Sequence, residues 1–206
     1  IQLYRTPLGS RLRSMSSTRE YMCDTTRGTR HAIVIDPADQ PPEVAANRAM
    51  AAVHAGSSMI LVGGSTDTDT ENVHATIVAI KEALELIVWA ASQDADAEGS
   101  QKQTPVVLFP QGAAALSPAA DAITFMMLMN STDPRFLIGE QVRGAPFVRK
   151  AGIEPVSMGY LICSPGGKAG KVGKADLIMP DETERAAAYA MTAECLGFSL
   201  VYLEAG

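Results

Sequence analysis

The sequence predicts an α/β fold built on a mainly parallel sheet. Six apolar runs of strand length recur along the 206 residues, and most are continuous, as in strands with both faces covered. Helical segments with apolar residues at three-to-four spacing lie between several of them. Polar residues follow the strands at their C-terminal ends, where parallel α/β proteins keep their functional sites. These observations favour either a barrel or an open doubly wound sheet, and the pattern alone leaves both open.

The predicted elements follow one another in a regular order. The strands are "HAIVIDP" (31–37), "SMILVGG" (58–64), "PVVLFP" (105–110), "AITFMMLM" (122–129), "PVSMGYLIC" (155–163) and "SLVYLE" (199–204). Helices are predicted over 42–55, 70–91 and 181–196. The last helix starts at Asp181, a good N-cap, and stops at Gly197, which suits a C-terminal cap. The polar residues 92–104 are predicted to form a surface loop.

The connection between the third and fourth strands is unusually short. It reads "QGAAALSPAAD" (111–121), whereas a crossover helix with its loops needs at least about 10–12 residues. The helix after the third strand is therefore predicted to be reduced or absent. A closed (β/α)8 barrel has eight strands and about 250 residues, so the six strands here indicate an open sheet or a barrel that lacks two units.

Composition excludes several classes of function. A net charge of −6 argues against general nucleic-acid binding. No apolar run approaches the roughly 20 residues of a membrane span, and the N-terminus lacks an apolar stretch of signal-peptide type. The three cysteines are odd in number and lack metal-ligand spacing, which favours a reduced, cytoplasmic setting.

The chain is predicted to hold one domain, residues 31–206, after a basic N-terminal segment. Residues 1–30 contain six arginines against Glu20 and Asp24. This segment is predicted to be an extension that need not be ordered, and no function is assigned to it.

Polar residues at the strand ends are the candidate functional groups. They are Asp36 and Asp39 after the first strand, Gly63–Ser65 after the second, Asn130 and Ser131 after the fourth, Gly166 and Gly167 after the fifth, and Glu204 at the end of the sixth. Because side chains alternate along a strand, Tyr202 and Glu204 share one face. Burying an unpaired carboxylate is costly, so Asp36 and Glu204 are predicted to face a polar mouth. The alternative is that each caps a helix or pairs with an arginine.

The segment "CSPGGKAGKVGK" (163–174) is rich in glycine and lysine. It would suit an anionic ligand, although a mobile surface loop explains it equally well. It lacks the spacing of a Walker loop, and no G-x-G-x-x-G fingerprint occurs in the chain.

Over residues 31–206 the chain resembles the geranylgeranylglyceryl phosphate synthase family, which includes the bacterial heptaprenylglyceryl phosphate synthases. The resemblance is carried, in order, by "HAIVIDPAD", "ILVGGSTDTDTENV", "PVVLFPQG", "ADAITFMMLMNSTDPRFLIGEQ", "IEPVSMGYLI" and "YLEAG". Members are modified TIM barrels without the third helix. The resemblance therefore implies a (β/α)8 TIM-barrel type with a reduced third helix, here truncated after strand six.

The resemblance implies an enzyme, a prenyltransferase. The C3 hydroxyl of sn-glycerol 1-phosphate would attack C1 of geranylgeranyl diphosphate, giving an ether and diphosphate with Mg²⁺ as cofactor. Asp36 and Ser65 match the family's metal positions. The segment that holds glycerol phosphate maps to Tyr202, Leu203, Glu204, Ala205 and Gly206. Glu204 is the candidate catalytic base, since an alcohol attacks poorly unless a base takes its proton.

The prenyl substrate and the family also imply partners. An apolar groove is expected near "GAAALSPAA", where Trp at Ala114 or Ala115 should shorten the accepted chain. Self-association and peripheral membrane contact are expected, without an encoded anchor and without nucleic acid.

Two alternatives remain. One is the bacterial-type activity on a longer donor, although Val34 stands where bacterial relatives have lysine. The other is a non-catalytic, anion-binding barrel fragment. The family continues through "SGA" and two further strands with glycine-rich phosphate loops, so these 206 residues alone are expected to fold poorly and to be inactive.

Overall fold

The computed structural model describes residues 17–92 and 104–205. This part of the chain contains six strands and six α-helices. Their bounds are α1 Thr18–Cys23, β1 Ala32–Ile35, α2 Pro42–His54, β2 Met59–Val62, α3 Thr70–Ser92, β3 Val106–Leu108, β4 Ala122–Leu128, α4 Glu140–Ala151, β5 Glu154–Ile162, α5 Gly167–Val172, α6 Thr183–Cys195 and β6 Leu200–Glu204. Strands and helices alternate, except that β4 follows β3 directly and α6 follows α5 directly. A π-helical turn, Arg135–Gly139, leads into α4.

All six strands are parallel, and their order in the sheet is their order in the chain. A doubly wound sheet reverses its strand order at a switch point, whereas a barrel adds each new strand on the same side. The unbroken order therefore selects the barrel over the doubly wound sheet. In the described residues the edges are β1, paired with β2, and β6, paired with β5, so the sheet is an open part of a barrel.

The predicted strands and the short third connection are confirmed. Each observed strand lies within one or two residues of its predicted ends, because continuous apolar runs mark strands covered on both faces. No helix occurs between β3 and β4, which are both described throughout with their connection. The predicted helices at 42–55 and 70–91 are also present as α2 and α3.

The last helix differs slightly from its prediction. It begins at Thr183 rather than at Asp181, since the Glu182 carboxylate turns back to accept a 2.8 Å hydrogen bond from the Met179 N–H. At its other end Gly197 has a φ of 74°, in the left-handed region where glycine is favoured. The predicted C-terminal cap is therefore confirmed.

Helices α1, α4 and α5 were not predicted. Helix α4 contains Gly144 and Pro146, two residues that usually argue against a helix interior. Helix α5 is only six residues long and lies in the segment 163–174, which one interpretation made a mobile surface loop. That segment instead carries a turn of helix packed through Gly170 and Gly173 against side chains of the sheet.

One core cluster lies between the sheet and the helices α2, α3 and α4. Ile35, Ile60, Val62 and Leu108 from the strands meet Ile77 and Ile80 of α3, and all are at most 2% exposed. At about 25 cal/mol per Å² of buried apolar surface, such a layer is the main stabilising contribution to the fold. It fixes the positions of the strand ends.

A second cluster fills the end of the sheet where the strands begin. Val107, Ala122 and Val156 meet Met22, which α1 brings in from outside the sheet. Helix α1 has a complete capping box between Ser17 and Glu20.

Residues 17–30 are the described part of the predicted N-terminal extension. Here the chain is ordered against the sheet: the Arg19 N–H donates to Glu154, and the Arg30 guanidinium donates to the backbone carbonyls of Tyr21 and Met22. Residues 1–16 lie outside the described residues, as do 93–103 of the predicted surface loop and Gly206. Among the helices in the described part of the chain, none combines the length and apolar character needed to cross a membrane.

Candidate active site

A cavity of about 540 Å³ opens at the C-terminal ends of the strands. Residues directly after β1, β2 and β3 line it, together with Gly166 and Gly167 in the segment that follows β5 and Glu204 at the end of β6. The opposite end of the sheet is closed by the cluster around Met22. The groups predicted after the first, second, fifth and sixth strands thus face a single space, as the polar asymmetry of the sequence indicated.

Asn130 and Ser131, predicted after the fourth strand, do not line this cavity. The buried Asn130 side chain instead bonds to the backbone of Ile162 and Asp176.

Asp36 follows β1 and lies over the second strand. Its Oδ1 accepts a 2.9 Å hydrogen bond from the Ala38 N–H, and its carbonyl accepts a 2.7 Å bond from the Gln40 side-chain amide. A carbon added at Gly64 would overlap the Asp36 carboxylate. Gly64, the second glycine of "VGGS", is therefore needed because the Asp36 side chain approaches its backbone closely, and not because of a positive φ.

The electrostatic surroundings of Asp36 are unusual for an aspartate. Burial raises the pKa of its carboxyl, the Ala38 N–H lowers it, Asp39 raises it, Lys168 lowers it and Asp67 raises it, with a net upward shift. A bound cation would stabilise the negative charge of Asp36 in this partly buried place. The ionised carboxylate is thus poised for a positively charged ligand.

The donor set at this place suits a hard cation. Asp36 offers carboxylate oxygens, and Ser65, beside Gly64, offers a hydroxyl lining the same cavity. Within residues 17–92 and 104–205 no group of three or more His, Cys, Asp or Glu side chains could hold a metal. Mg²⁺ commonly takes one or two protein oxygens and completes its shell with water and substrate phosphates, so the pair Asp36 and Ser65 fits that ion.

Across the cavity, β6 presents Tyr202 and Glu204 on one face. The Tyr202 hydroxyl donates a 2.7 Å hydrogen bond to Glu204 Oε2. Both side chains line the cavity and are half-buried. Burial raises the pKa of the Tyr202 phenol, and the hydrogen bond to Glu204 and its charge add to the rise. Tyr202 therefore stays a protonated donor that orients the carboxylate.

Tyr160 is a site residue that the sequence analysis missed. It is the register partner of Tyr202 on the neighbouring strand β5, and the two ring centroids are 5.2 Å apart. Phe109 completes an aromatic group, edge-on to Tyr202 at 5.4 Å. Burial, followed by the charge of Glu204, raises the pKa of Tyr160. In the sheet register, Ile162 lies opposite Glu204, and Tyr160, two residues earlier on β5, lies opposite Tyr202. This register is the signal that would have identified Tyr160.

Glu140 is a second residue that was missed. It is 8% exposed, lines the cavity, and accepts a 2.8 Å hydrogen bond from the Ala113 N–H. It also forms ion pairs with Arg135 at 2.6 Å and Arg143 at 3.0 Å. Burial raises the pKa of Glu140, but the Ala113 N–H and then Arg135 outweigh it, so the net pKa is lowered. Glu140 thus fixes the helix-free segment after β3.

The residues predicted for the site divide into two groups. Asp36, Ser65, Tyr202 and Glu204 all line the cavity. Neither Asp36 nor Glu204 forms an ion pair with an arginine among the described residues. The alternative that these acids serve to pair with an arginine is therefore excluded for the described residues. The side chain of Leu203 is 55% exposed and that of Ala205 is exposed, and neither lines the cavity. Only their backbone could serve a ligand in it.

The predicted groove residues need correction. Ala115 is 1% exposed in the core, and Ala114 is exposed, with its carbonyl bonded to Thr70 at 3.1 Å. The apolar wall of the cavity comes from side chains of the strands, the π-helical turn, α4 and other residues of the predicted segment after β3. Its members include Ala113, Leu116, Phe125, Met126, Leu128, Phe136, Gly144 and Val148. The small residues Ala113 and Gly144 keep this part of the cavity open.

Known proteins resemble the chain in both sequence and structure. The family model described as the PcrB family matches residues 24–206. The geranylgeranylglyceryl phosphate synthase of Methanococcoides burtonii is 43% identical over 189 residues, 91% of this chain and 69% of that protein. The synthase of Methanosarcina barkeri is 43% identical over 179 residues, 87% of this chain and 65% of that protein. The chain thus spans about two thirds of the length of these curated relatives.

A solved structure agrees with the fold. The (S)-3-O-geranylgeranylglyceryl phosphate synthase from Thermoplasma acidophilum, crystallised with its substrate sn-glycerol-1-phosphate, superposes with a TM-score of 0.80 at 38% identity. The match covers 93% of this chain and 71% of the other. The resemblance inferred from the strand-end motifs is therefore confirmed, and the chain belongs to the PcrB family, among the geranylgeranylglyceryl phosphate synthases and their relatives.

Proposed function

We propose that the protein is a prenyltransferase that joins geranylgeranyl diphosphate to the C3 hydroxyl of sn-glycerol 1-phosphate. The observation that carries the proposal is that Asp36 and the Tyr202–Glu204 pair line one cavity whose inner wall is apolar. A polar mouth suits two phosphorylated groups, and an apolar interior suits a prenyl chain. The relatives named as geranylgeranylglyceryl phosphate synthases support the same assignment.

The chemical step is a substitution at the first carbon of the prenyl group. The C3 oxygen of glycerol phosphate forms the new C–O bond, and the bond from that carbon to the diphosphate oxygen breaks, with its electron pair leaving on diphosphate. The hydroxyl proton passes to the carboxylate of Glu204, which acts as general base. Tyr202 holds that carboxylate through its 2.7 Å hydrogen bond, so the base is positioned before the substrate arrives.

Asp36 and Ser65 are the residues that would hold Mg²⁺. When bound there, the ion supplies electrostatic stabilisation of the leaving diphosphate. The Asp36 carboxylate accepts a hydrogen bond from the Ala38 N–H and packs against Gly64, which has no side chain. The carboxylate therefore needs little rearrangement to bind a cation. The raised pKa of Asp36, caused first by burial, indicates that a nearby positive charge would be favourable.

The apolar wall would hold the prenyl chain and exclude water. Burial of a hydrocarbon chain contributes about 0.8 kcal/mol per CH₂, so even partial burial would contribute strongly to binding. Glu140 supports this wall because it ties the segment after β3 to α4 through the Ala113 N–H. Val34, which lines the mouth, is apolar where a lysine would mark the bacterial type, and this favours the geranylgeranyl donor.

The setting of the reaction also belongs to this proposal. The enzyme would be cytoplasmic and would meet its lipophilic prenyl donor at the membrane surface. It would also self-associate, as expected for the family. Segments in the longer relatives beyond the matched two thirds would complete the phosphate site for glycerol phosphate.

The experiment uses the full-length protein that carries these residues. It is incubated with Mg²⁺, sn-glycerol 1-phosphate and either geranylgeranyl or heptaprenyl diphosphate, and the ether is identified by mass spectrometry. We expect product with sn-glycerol 1-phosphate and the geranylgeranyl donor, and little with sn-glycerol 3-phosphate as the matched control. Preference for heptaprenyl diphosphate would support the bacterial-type activity. Binding of glycerol phosphate without any ether would support the non-catalytic alternative.

A further inference from the structure

We propose that Lys168 and Arg48 bind the diphosphate group of the prenyl donor beside Asp36. The inference rests on the proposed function and extends it to residues that the strand-end motifs do not include. Lys168 lies in α5, after the fifth strand, and Arg48 lies in α2, after the first. Both line the cavity that holds Asp36.

The first observation is that these are the two cationic side chains in the cavity lining of the described residues. Neither forms an ion pair there, although other cations of the described chain are neutralised: Lys81 by Asp121, Lys174 by Asp133, and Arg135 and Arg143 by Glu140. A cationic side chain in a concave site that is not engaged in an ion pair is available to an anionic ligand.

The second observation concerns Lys168. Lys168 lies near the start of α5 and lines the same cavity as Asp36. Gly166 and Gly167, with φ of 77° and 51°, turn the chain immediately before it and line the same cavity. A side chain would be strained at these two positions, so the turn that brings α5 and its lysine to the mouth depends on glycine.

The third observation concerns Arg48. Its guanidinium donates to Gln40 Oε1, and the Gln40 amide donates to the Asp36 carbonyl at 2.7 Å. Gln40 thus ties the arginine to the backbone of the acid that would hold the metal. One of the five N–H donors of the guanidinium is used in this bond, which leaves a planar fork for phosphate oxygens.

The charges in the cavity give a reason for both cations. Asp36, Asp39 and Glu204 line it without an ion-pair partner among the described residues. A single divalent ion would not offset these three carboxylates, let alone a diphosphate. Two fixed cations on separate elements reduce the remaining repulsion and can stabilise the charge that develops as diphosphate leaves.

The test measures binding of inorganic pyrophosphate to the full-length protein by isothermal titration calorimetry with Mg²⁺ present. Lys168→Ala and Arg48→Ala should each raise the dissociation constant about tenfold, since each removes a charge-assisted contact. Lys168→Arg should restore part of the affinity. Lys171→Ala, on the same short helix but outside the cavity lining, and Arg149→Ala, exposed on α4, are the matched controls and should bind like the parent. Circular dichroism checks that each variant is folded.

Steady-state kinetics distinguish this inference from the proposed function. The two alanine variants should raise the KM for the prenyl diphosphate while leaving the KM for sn-glycerol 1-phosphate within about twofold, because the contacts are to one substrate only. The inference is overturned if the parent fails to bind pyrophosphate, or if both variants bind it within twofold of the parent. A parent that binds pyrophosphate in a Lys168-dependent manner but forms no ether would support the diphosphate site and sink the proposed reaction instead.

Discussion

The hydroxyl of Tyr202 donates a 2.7 Å hydrogen bond to Glu204 Oε2, and the two residues stand two positions apart on the same face of β6. The bond is local in sequence, so it forms as soon as the strand does. Tyr160, its register partner, and Phe109 pack against the Tyr202 ring and hold it in place. The carboxylate that faces the cavity is therefore fixed by the strand that carries it.

Tyr202→Phe should lower kcat/KM for ether formation about tenfold to a hundredfold, because a hydrogen bond to a charged group contributes about 1.5–3 kcal/mol. The ring and its packing remain, so the loss in the free energy of unfolding should not exceed the contribution of that one hydrogen bond. Glu204→Gln should cost about a hundredfold or more in kcat if the carboxylate is the base. Steady-state kinetics on both variants make the measurement.

The double variant decides whether Tyr202 acts through Glu204. If it does, Tyr202→Phe added to Glu204→Gln should cost almost nothing further, since the partner of the hydroxyl is already impaired. Fully additive losses would contradict a positioning role and would favour a direct contact between the tyrosine and substrate.

Gly64→Ala should disrupt the proposed metal position, because the new carbon would overlap the Asp36 carboxylate. We expect the Mg²⁺ concentration for half-maximal activity to rise about tenfold to a hundredfold, as when the support of a metal ligand is lost. A thermal-shift titration with Mg²⁺ gives a second readout. Gly139→Ala is the control, since its added carbon has no neighbour nearer than 3.6 Å. An unchanged Mg²⁺ response in Gly64→Ala would argue against Asp36 as the ligand.

The sheet was predictable from sequence because its signals are local. Continuous apolar runs mark strands covered on both faces, and a connection too short for a helix marks the missing third helix. The order of the strands was not predictable in this way, since a barrel and a doubly wound sheet share those runs. Helix α4 was missed because Gly144 and Pro146 oppose helix formation locally, and its packing against the sheet overrides them.

The site was predictable only where strand position decides it. Asp36, Ser65, Tyr202 and Glu204 lie at or beside strand ends, so the parallel sheet alone gathers them. Glu140 is different because it reaches Ala113 across 27 residues of sequence from an unpredicted helix. The position of Lys168 likewise depends on a turn and on helix α5. Neither was predicted, because the glycines of this segment are typical of a loop.

Ala113→Phe should shift the preference of the enzyme to shorter prenyl donors. Ala113 lines the apolar part of the cavity, and a carbon added at the neighbouring Gly144 would lie 3.7 Å from its side chain, so there is little room for a ring without loss of substrate space. Each CH₂ that can no longer be buried forfeits about 0.8 kcal/mol of binding. Competition between farnesyl and geranylgeranyl diphosphate measures the shift. Ala114→Phe, exposed beside it, should leave the profile unchanged, and a parental profile in Ala113→Phe would place the prenyl chain elsewhere.

Glu140→Gln should destabilise the protein in a pH-dependent way. The interactions with the Ala113 N–H and with Arg135 lower the pKa of the folded carboxyl below its ordinary value of 4.5. A lowered pKa contributes stability that is fully present above the unfolded pKa and is lost as pH falls through the folded pKa. At neutral pH we expect the free energy of unfolding to fall by about 1–3 kcal/mol, because buried donors lose their charged acceptor.

The measurement for Glu140 is urea unfolding of the parent and Glu140→Gln at several pH values between about 3 and 7. The difference between the two should be largest near neutrality and should shrink toward the acid end, where the parent glutamate is itself protonated in both states. Glu85→Gln, an exposed residue of α3, should show no such trend. A difference that stays constant across the range would mean that shape rather than charge makes Glu140 important. The segment after β3 would then be held by packing against α4, with Arg135 and Arg143 contributing only at the surface.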